Sequence, residues 1–271
     1  MKKEQAFSSR FSFHTTPFTR EIETKNRFQL EDNEKHLEYL RRVLEKKMSA
    51  AVVAPAGTGK TMLLRTLADS LPETRYHISY LKVTSLSKRD LCREISKALG
   101  LKQAGNYPTL VRRIQDRFSS TLEIDGRKPI LIFDETQDIQ ADVLGILNIL
   151  TNFEMDSKLV VGIILAGQPR LKELLRQARL ESVARRMAHF VTLKLLSPSQ
   201  HARYIKHRCI IAGCSSAPFD EDSVRTLYEL TQGNLRATDY LCLKSLEVAH
   251  DYDTNCITAN HVLEARSLLW P

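Results

Sequence analysis

Two kinds of apolar pattern alternate along the first two thirds of the chain. Residues 50–53, 129–133 and 158–166 are short, nearly continuous apolar runs, as expected of parallel strands covered on both faces. Residues 76–83 alternate apolar and polar positions, and 190–195 reads as a last strand. Between these runs the apolar residues recur every three or four positions. Leu37, Leu40, Val43 and Leu44 share one face of a helix over 31–47, and residues 62–68 form another. Ser85 or Ser87 caps a helix through Leu91 and Ile95 to Leu99 that stops at Gly100. Leu110, Val111, Ile114 and Phe118 form the buried side of the helix after Pro108. Residues 142–151 make a further helix, and a basic helical stretch runs from Leu171 to Arg185 and Arg186. Strand and helix alternate throughout, so residues 49–196 are expected to form an α/β, doubly wound parallel sheet.

The pattern changes at Ser197 and Pro198. Helices fit 199–212, 220–231, 235–250 and 259–269, so 197–271 reads as a small all-helical domain. Residues 1–48 form a leader with an aromatic cluster, Phe11, Phe13, Pro17 and Phe18. Two readings of the leader stand side by side: Pro17 and Phe18 lie near a bound nucleotide base, or the leader is only an N-terminal cap on the core.

The chemistry concentrates behind the first strand, in Ala54, Pro55, Ala56, Gly57, Thr58, Gly59, Lys60 and Thr61, with Met62 opening the next helix. Strand, glycine turn and helix start make a phosphate cradle. Gly57 and Gly59 let successive N–H groups converge, and the helix start adds its positive dipole end. Lys60 is expected to reach the β- and γ-phosphates and Thr61 to ligate Mg²⁺. Ala54 stands where the usual pattern begins with glycine, a mild change because the demanding turn lies at 57–59.

A second motif ends the strand at 129–133. Asp134 is suited to hold the Mg²⁺ shell and Glu135 to polarise the water that attacks the γ-phosphate. A plain helix N-cap is the alternative for two acids in this position. Gln168, after the next strand, is placed to sense the γ-phosphate or to orient water; a turn amide bonded to backbone is its alternative.

Composition narrows the class. The chain has 271 residues, 42% hydrophobic and 27% charged, with no apolar run near the ~20 residues that span a bilayer. The start lacks the apolar core of a signal peptide, so a cytoplasmic location is expected. The five cysteines lack C-x-x-C spacing and read as reduced thiols rather than a zinc site. A net charge of +8 favours polyanionic partners. The turn Thr84, Ser85, Lys88 and Arg89 offers hydroxyls, a helix start and two cations to a DNA backbone; Arg112 and Arg113 are the second choice.

The order of these motifs resembles an AAA+ ATPase over nearly the whole chain. The resemblance implies a five-stranded P-loop sheet with a helical lid, ATP and Mg²⁺ as ligands, and ATP hydrolysis. It also implies a lid arginine at Arg236, in Gly233-Asn234-Leu235-Arg236, and an arginine supplied in trans by Arg186, with Arg185 as the near alternative. The opening Phe-x-Phe-x-x-x-Pro-Phe, Leu-Ala-Gly-Gln-Pro-x-Leu at 165–171 and Leu-Ser-Pro at 196–198 resemble the ExeA/GspA-like ATPases. These are related to the transposition regulators TniB, TnsC and MuB. The stand-alone basic form is similar to those helpers, which bind double-stranded DNA as homo-oligomeric rings or helical filaments and recruit a transposase. A target-selection protein is a further implied partner, and no membrane partner is expected. The alternatives are a secretion-associated ATPase, a helicase loader or initiator, and a non-catalytic nucleotide-gated scaffold.

Overall fold

Three of the five strands of the sheet are buried along nearly their whole length, which is why their sequences carry almost no polar residue. The computed structural model describes residues 10–83 and 85–269. In chain order the elements are α1 (Glu31–Glu45), β1 (Ser49–Val53), α2 (Lys60–Asp69), β2 (Tyr76–Lys82), α3 (Lys88–Ala98), α4 (Tyr107–Glu123) and β3 (Lys128–Asp134). They continue with α5 (Ala141–Leu144), α6 (Ile146–Leu150), β4 (Gly162–Gly167), α7 (Arg170–Leu175), α8 (Glu181–Arg185) and β5 (Met187–Thr192). Four more helices follow: α9 (Pro198–Ile211), α10 (Glu221–Thr231), α11 (Leu235–Asp251) and α12 (Ala259–Leu269).

The sheet is parallel in every pairing, in the order β2-β3-β4-β1-β5. The order reverses around β1, and ligands of open α/β sheets bind beyond the carboxyl ends of strands at such a switch point. One apolar layer joins α3–α8 to one sheet face; another joins α1 and α2 to the opposite face, around Leu40, Leu44, Leu64 and Leu67.

Contacts divide the chain into two units. One takes Leu30–Ala56 and Lys60–Leu193; the other takes the segment ending at Gln29, residues 57–59 and the chain from Lys194 on. In the helical unit Phe11, Phe13 and Phe18 join the core of α9–α12. The leader therefore divides near residue 29: its helix α1 belongs to the α/β unit and its aromatic cluster to the helical one. Local signals set the helix starts: Ser87, Asn106, Ser197, Asp220 and Asn234 each accept a backbone N–H of the first turn.

The structure corrects three boundaries. The helix expected over 142–151 is broken into α5 and α6 at Gly145. The strand expected from 158 begins at Gly162, where pairing with Ile130 of β3 starts; Val160 and Val161 are buried but unpaired to the sheet ladder. The last strand runs over Met187–Thr192 rather than 190–195. Its in-register partner is β1, and Phe190, an apolar residue that suggested burial, points outward on this edge strand.

Candidate nucleotide-binding site

Register brings the two motifs together. Val53 lies opposite Gly167, and the Ala54 N–H donates to the Gly167 carbonyl at 3.0 Å, extending the β1–β4 ladder by one bond. Ala54 is fully buried and, unlike Gly57 and Gly59, has no positive φ, so alanine fits where the sequence pattern usually carries glycine. Gly57 (φ 78°) and Gly59 (φ 90°) hold the left-handed turns of the loop.

At the head of α2, Lys60 is 7% exposed and its Nζ forms ion pairs with Asp134 Oδ1 and, at 3.0 Å, with Glu135 Oε1. Thr61 Oγ1 donates to Asp134 Oδ2 at 3.4 Å. The Tyr80 hydroxyl, reaching across from β2, donates to the same oxygen at 2.9 Å. Asp134, 2% exposed, also accepts the Glu135 N–H at 2.9 Å.

Glu135 itself sits in the left-handed region (φ 60°, ψ 32°) directly after β3. A non-glycine residue held there stores backbone strain of order 1–3 kcal/mol, which persists where the surroundings over-determine it. The surroundings here are explicit. Gln137 Nε2 donates to Glu135 Oε2 at 2.9 Å, while Gln137 Oε1 accepts the Gln168 N–H at 3.0 Å. Burial pushes the Glu135 carboxyl up, but the bond from Gln137, the bond and charge of Lys60 and a bond from the Gln168 side chain outweigh it and hold it below the usual glutamate value. Glu135 is thus an ionised acceptor at the rim of the site.

The arrangement fits a nucleoside triphosphate with Mg²⁺. A buried ammonium neutralised by two carboxylates can exchange them for phosphate oxygens, and a hydroxyl and a carboxylate adjoin it as metal ligands. Residues 57–59 cluster with the helical unit, where the Arg236 N–H donates to the Gly57 carbonyl at 3.2 Å. A Cβ on Gly57 would lie 2.3 Å from Asn234 Oδ1, so only glycine permits this approach. Asn234 also caps α11, which places the exposed Arg236 in its first turn.

Other expected site residues fall elsewhere. Pro17 and Phe18 are buried; the Phe18 ring packs edge-on against Phe219 and beneath the Arg208 guanidinium. That ring is a core residue of the helical unit. Arg186 pairs with Asp156 at 2.7 Å, and Arg185 pairs with Glu181 one turn earlier on α8 and is far more exposed. Of the DNA candidates, Thr84 lies outside the described residues. Lys88 lies 3.7 Å from Asp142. Arg89 and Arg113 converge on one loop, donating to the carbonyls of Gly105 and Ala104 respectively, so part of each guanidinium is engaged in holding 102–105. Arg112 is exposed. Ser85 lines a cavity of about 710 Å³ with Gln137, Arg170 and Arg179.

Sequence reasoning passed over Tyr80 and Gln137. Tyr80 occupies an alternating edge strand, and its hydroxyl carries no motif. Gln137 follows the acidic pair by two positions, and its partner across the turn is 31 residues away, so no local signal announces it.

Comparisons with known proteins agree with this geometry. General secretion pathway protein A of Aeromonas hydrophila is 34% identical over 196 residues, which cover 71% of this chain and 35% of that protein. The chain thus spans about a third of the length of this curated relative. The crystal structure of Cdc6p from Pyrobaculum aerophilum superposes with a TM-score of 0.73 at 15% identity, covering 93% of this chain and 70% of that one. The Aeropyrum pernix ORC1 protein, solved in complex with DNA, gives 0.69 at 17% identity, covering 95% and 70%. At such identities the two structures establish the fold. The family model described as an AAA domain matches residues 40–175, half of the sequence, and the chain belongs to that family.

Proposed function

We propose that this chain is an ATP-dependent, DNA-binding AAA+ regulator that assembles as a homo-oligomer on duplex DNA and recruits or activates a transposase at target DNA, with hydrolysis driving disassembly. The observation that carries the reading is the cluster of Lys60, Asp134 and Glu135, a buried cation whose present partners are the two groups that phosphoryl chemistry needs. On nucleotide binding Lys60 exchanges carboxylate oxygens for the β- and γ-phosphates. Thr61 and Asp134 are the residues to hold Mg²⁺, which when bound supplies charge neutralisation at the phosphate oxygens. Glu135, released from Lys60 and ionised, accepts a proton from the attacking water, and Gln168 orients that water or reads the γ-phosphate.

Arg186 of a neighbouring subunit, with Arg185 as the alternative, completes the charge around the γ-phosphate. Ligand-dependent assembly follows from linkage: whatever binds the assembled state alone stabilises it. The DNA reading is supported by charge. Arg170, Lys172, Arg176, Arg179 and Arg185 are all exposed on the segment between β4 and β5, against Glu173 and Glu181. The cavity that Ser85 lines with Arg170 and Arg179 also holds Asp138, Asp142 and Glu173, so the exposed basic segment rather than the cavity carries the charge argument, and a structural neighbour has been solved with DNA.

The test is duplex-DNA binding with size analysis in ATP, a non-hydrolysable analogue, ADP and no nucleotide. DNA-dependent large assemblies in ATP or the analogue alone support the reading. ATP binding without any effect of DNA on size or turnover overturns it. A second reading, a secretion-associated ATPase, is favoured by the 34% identity to general secretion pathway protein A, and that outcome would move it to first place.

A further inference from the structure

Gln137 is 6% exposed, in the 3₁₀ turn Thr136–Asp138 that follows the acidic motif. A buried primary amide needs partners for both ends. Its carbonyl end accepts from the backbone N–H of Gln168, which fixes the amide plane to the β4–α7 turn. Its NH₂ end is then turned toward Glu135 Oε2 at 2.9 Å and Asp138 Oδ2 at 3.1 Å. Gly167 makes this seat possible, because a Cβ there would lie 2.8 Å from Gln137 Oε1 and 3.1 Å from Leu171 Cβ. Thr136, the residue before it, is fully buried and donates to the Ala166 carbonyl at 2.8 Å, so successive residues of the turn are anchored to β4 and to the turn that follows it.

Glu135 is held differently. Its backbone is in a strained left-handed conformation and its side chain is held by Lys60, Gln137 and Gln168. The bond to Lys60 is the one that nucleotide binding takes away. From these bonds we infer that Gln137 is a positioning residue for the hydrolytic reaction, holding Glu135 Oε2 so that the carboxylate keeps its direction after Lys60 turns to phosphate. The inference rests on the reading of Glu135 as the general base. The proton path is unchanged: water gives its proton to Glu135, and Gln137 neither gains nor loses one.

The two ends of the amide can be tested separately. Gln137→Glu keeps an oxygen for the Gln168 N–H and removes the donor to Glu135, replacing it with a like charge. Gln137→Met is close in size and removes both bonds. Steady-state ATP hydrolysis is measured alongside analogue binding and thermal melting of the same proteins. Expected are analogue affinities within about threefold of wild type and kcat reduced about tenfold or more. The loss should fall on kcat rather than on affinity and should deepen from Gln137→Met to Gln137→Glu, because the second variant also sets a like charge beside the carboxylate it should position. A variant that binds the analogue and melts normally but shows wild-type kcat overturns the inference. Where a variant fails to fold, Gly167→Ala offers a second route by displacing the amide, and the same loss of kcat with analogue affinity preserved is expected. Wild-type protein that binds ATP without turning it over removes the hydrolytic reading itself, and the inference with it.

Discussion

Each unit buries a cation among acids and hydroxyls, and the two clusters are built for opposite ends. In the helical unit Arg208, 3% exposed, donates to the Tyr204 hydroxyl at 2.9 Å, to Asp239 at 3.2 Å and to the Thr19 carbonyl at 2.7 Å, over the Phe18 ring. Its partners come from α9, α11 and the leader, all packed into one core. In the α/β unit Lys60 faces two carboxylates at the open end of the sheet, one of them on a strained residue with a side chain 27% exposed. A rigid guanidinium bound to several elements staples them together; a single ammonium on a flexible stem exchanges partners. Burial of charge alone therefore does not mark a functional site. The difference lies in whether the acids have a replacement within reach and whether the backbone beneath them is strained.

That contrast is broken most sharply by removing each cation. Lys60→Ala is expected to weaken ATP binding at least 100-fold while the protein remains folded, measured by fluorescent-nucleotide titration and melting. Arg208→Ala leaves Asp239 and Tyr204 without their charge partner and should destabilise the helical unit by about 3–5 kcal/mol in chemical denaturation. A smaller effect separates the two arginines before β5. Arg186→Ala is expected to reduce assembly-dependent hydrolysis about tenfold or more with ATP affinity preserved, and Arg185→Ala, losing an exposed pair one turn apart, to leave it within about twofold. The reverse ranking would assign the trans role to Arg185.

The smallest expected effect is one of pH. Burial lifts the Asp239 carboxyl to about 6, against the opposing charge of Arg208 and the bonds from Tyr204 and Arg208. Burial also lowers His201 to about 4. Between pH 4 and 6 the folded state holds an extra proton on Asp239, which makes stability fall as pH rises. Over the same interval the unfolded state holds an extra proton on His201, which makes stability rise with pH. The two slopes oppose, so the helical unit should be nearly level across this window. His201→Gln removes the rising slope, and stability should then fall by up to about 1.4 kcal/mol per pH unit. A variant still level from pH 4 to 6 would contradict the assignment.

The parts of the site that were legible in sequence are those specified locally. The glycine turn behind an apolar strand, and two acids ending another, require only neighbouring residues to be recognised. Parallel pairing then places them together, as the β1–β4 and β3–β4 registers do. Tyr80 and Gln137 were not legible because their roles depend on partners 54 and 31 residues away. Phe18 stayed open in sequence for a related reason: an aromatic near a loop reads equally as a ligand contact or as core, and its packing with Phe219 and Arg208 comes from residues about 200 positions away. Gly145 breaks a helix that periodicity alone carries through, and Phe190 shows that an apolar residue on an edge strand need not be buried.

The central claim is that the bonds at Lys60 and Glu135 convert nucleotide state into assembly state. The most direct measurement is the lifetime of DNA-bound assemblies formed with ATP, followed by size analysis after dilution, for wild type and Glu135→Gln. The account predicts that the variant assembles as wild type does and persists at least tenfold longer, because the γ-phosphate that holds the neighbour's arginine is no longer removed. Equal lifetimes in two proteins that bind ATP alike would contradict it, and would leave a nucleotide-gated scaffold without a hydrolytic switch.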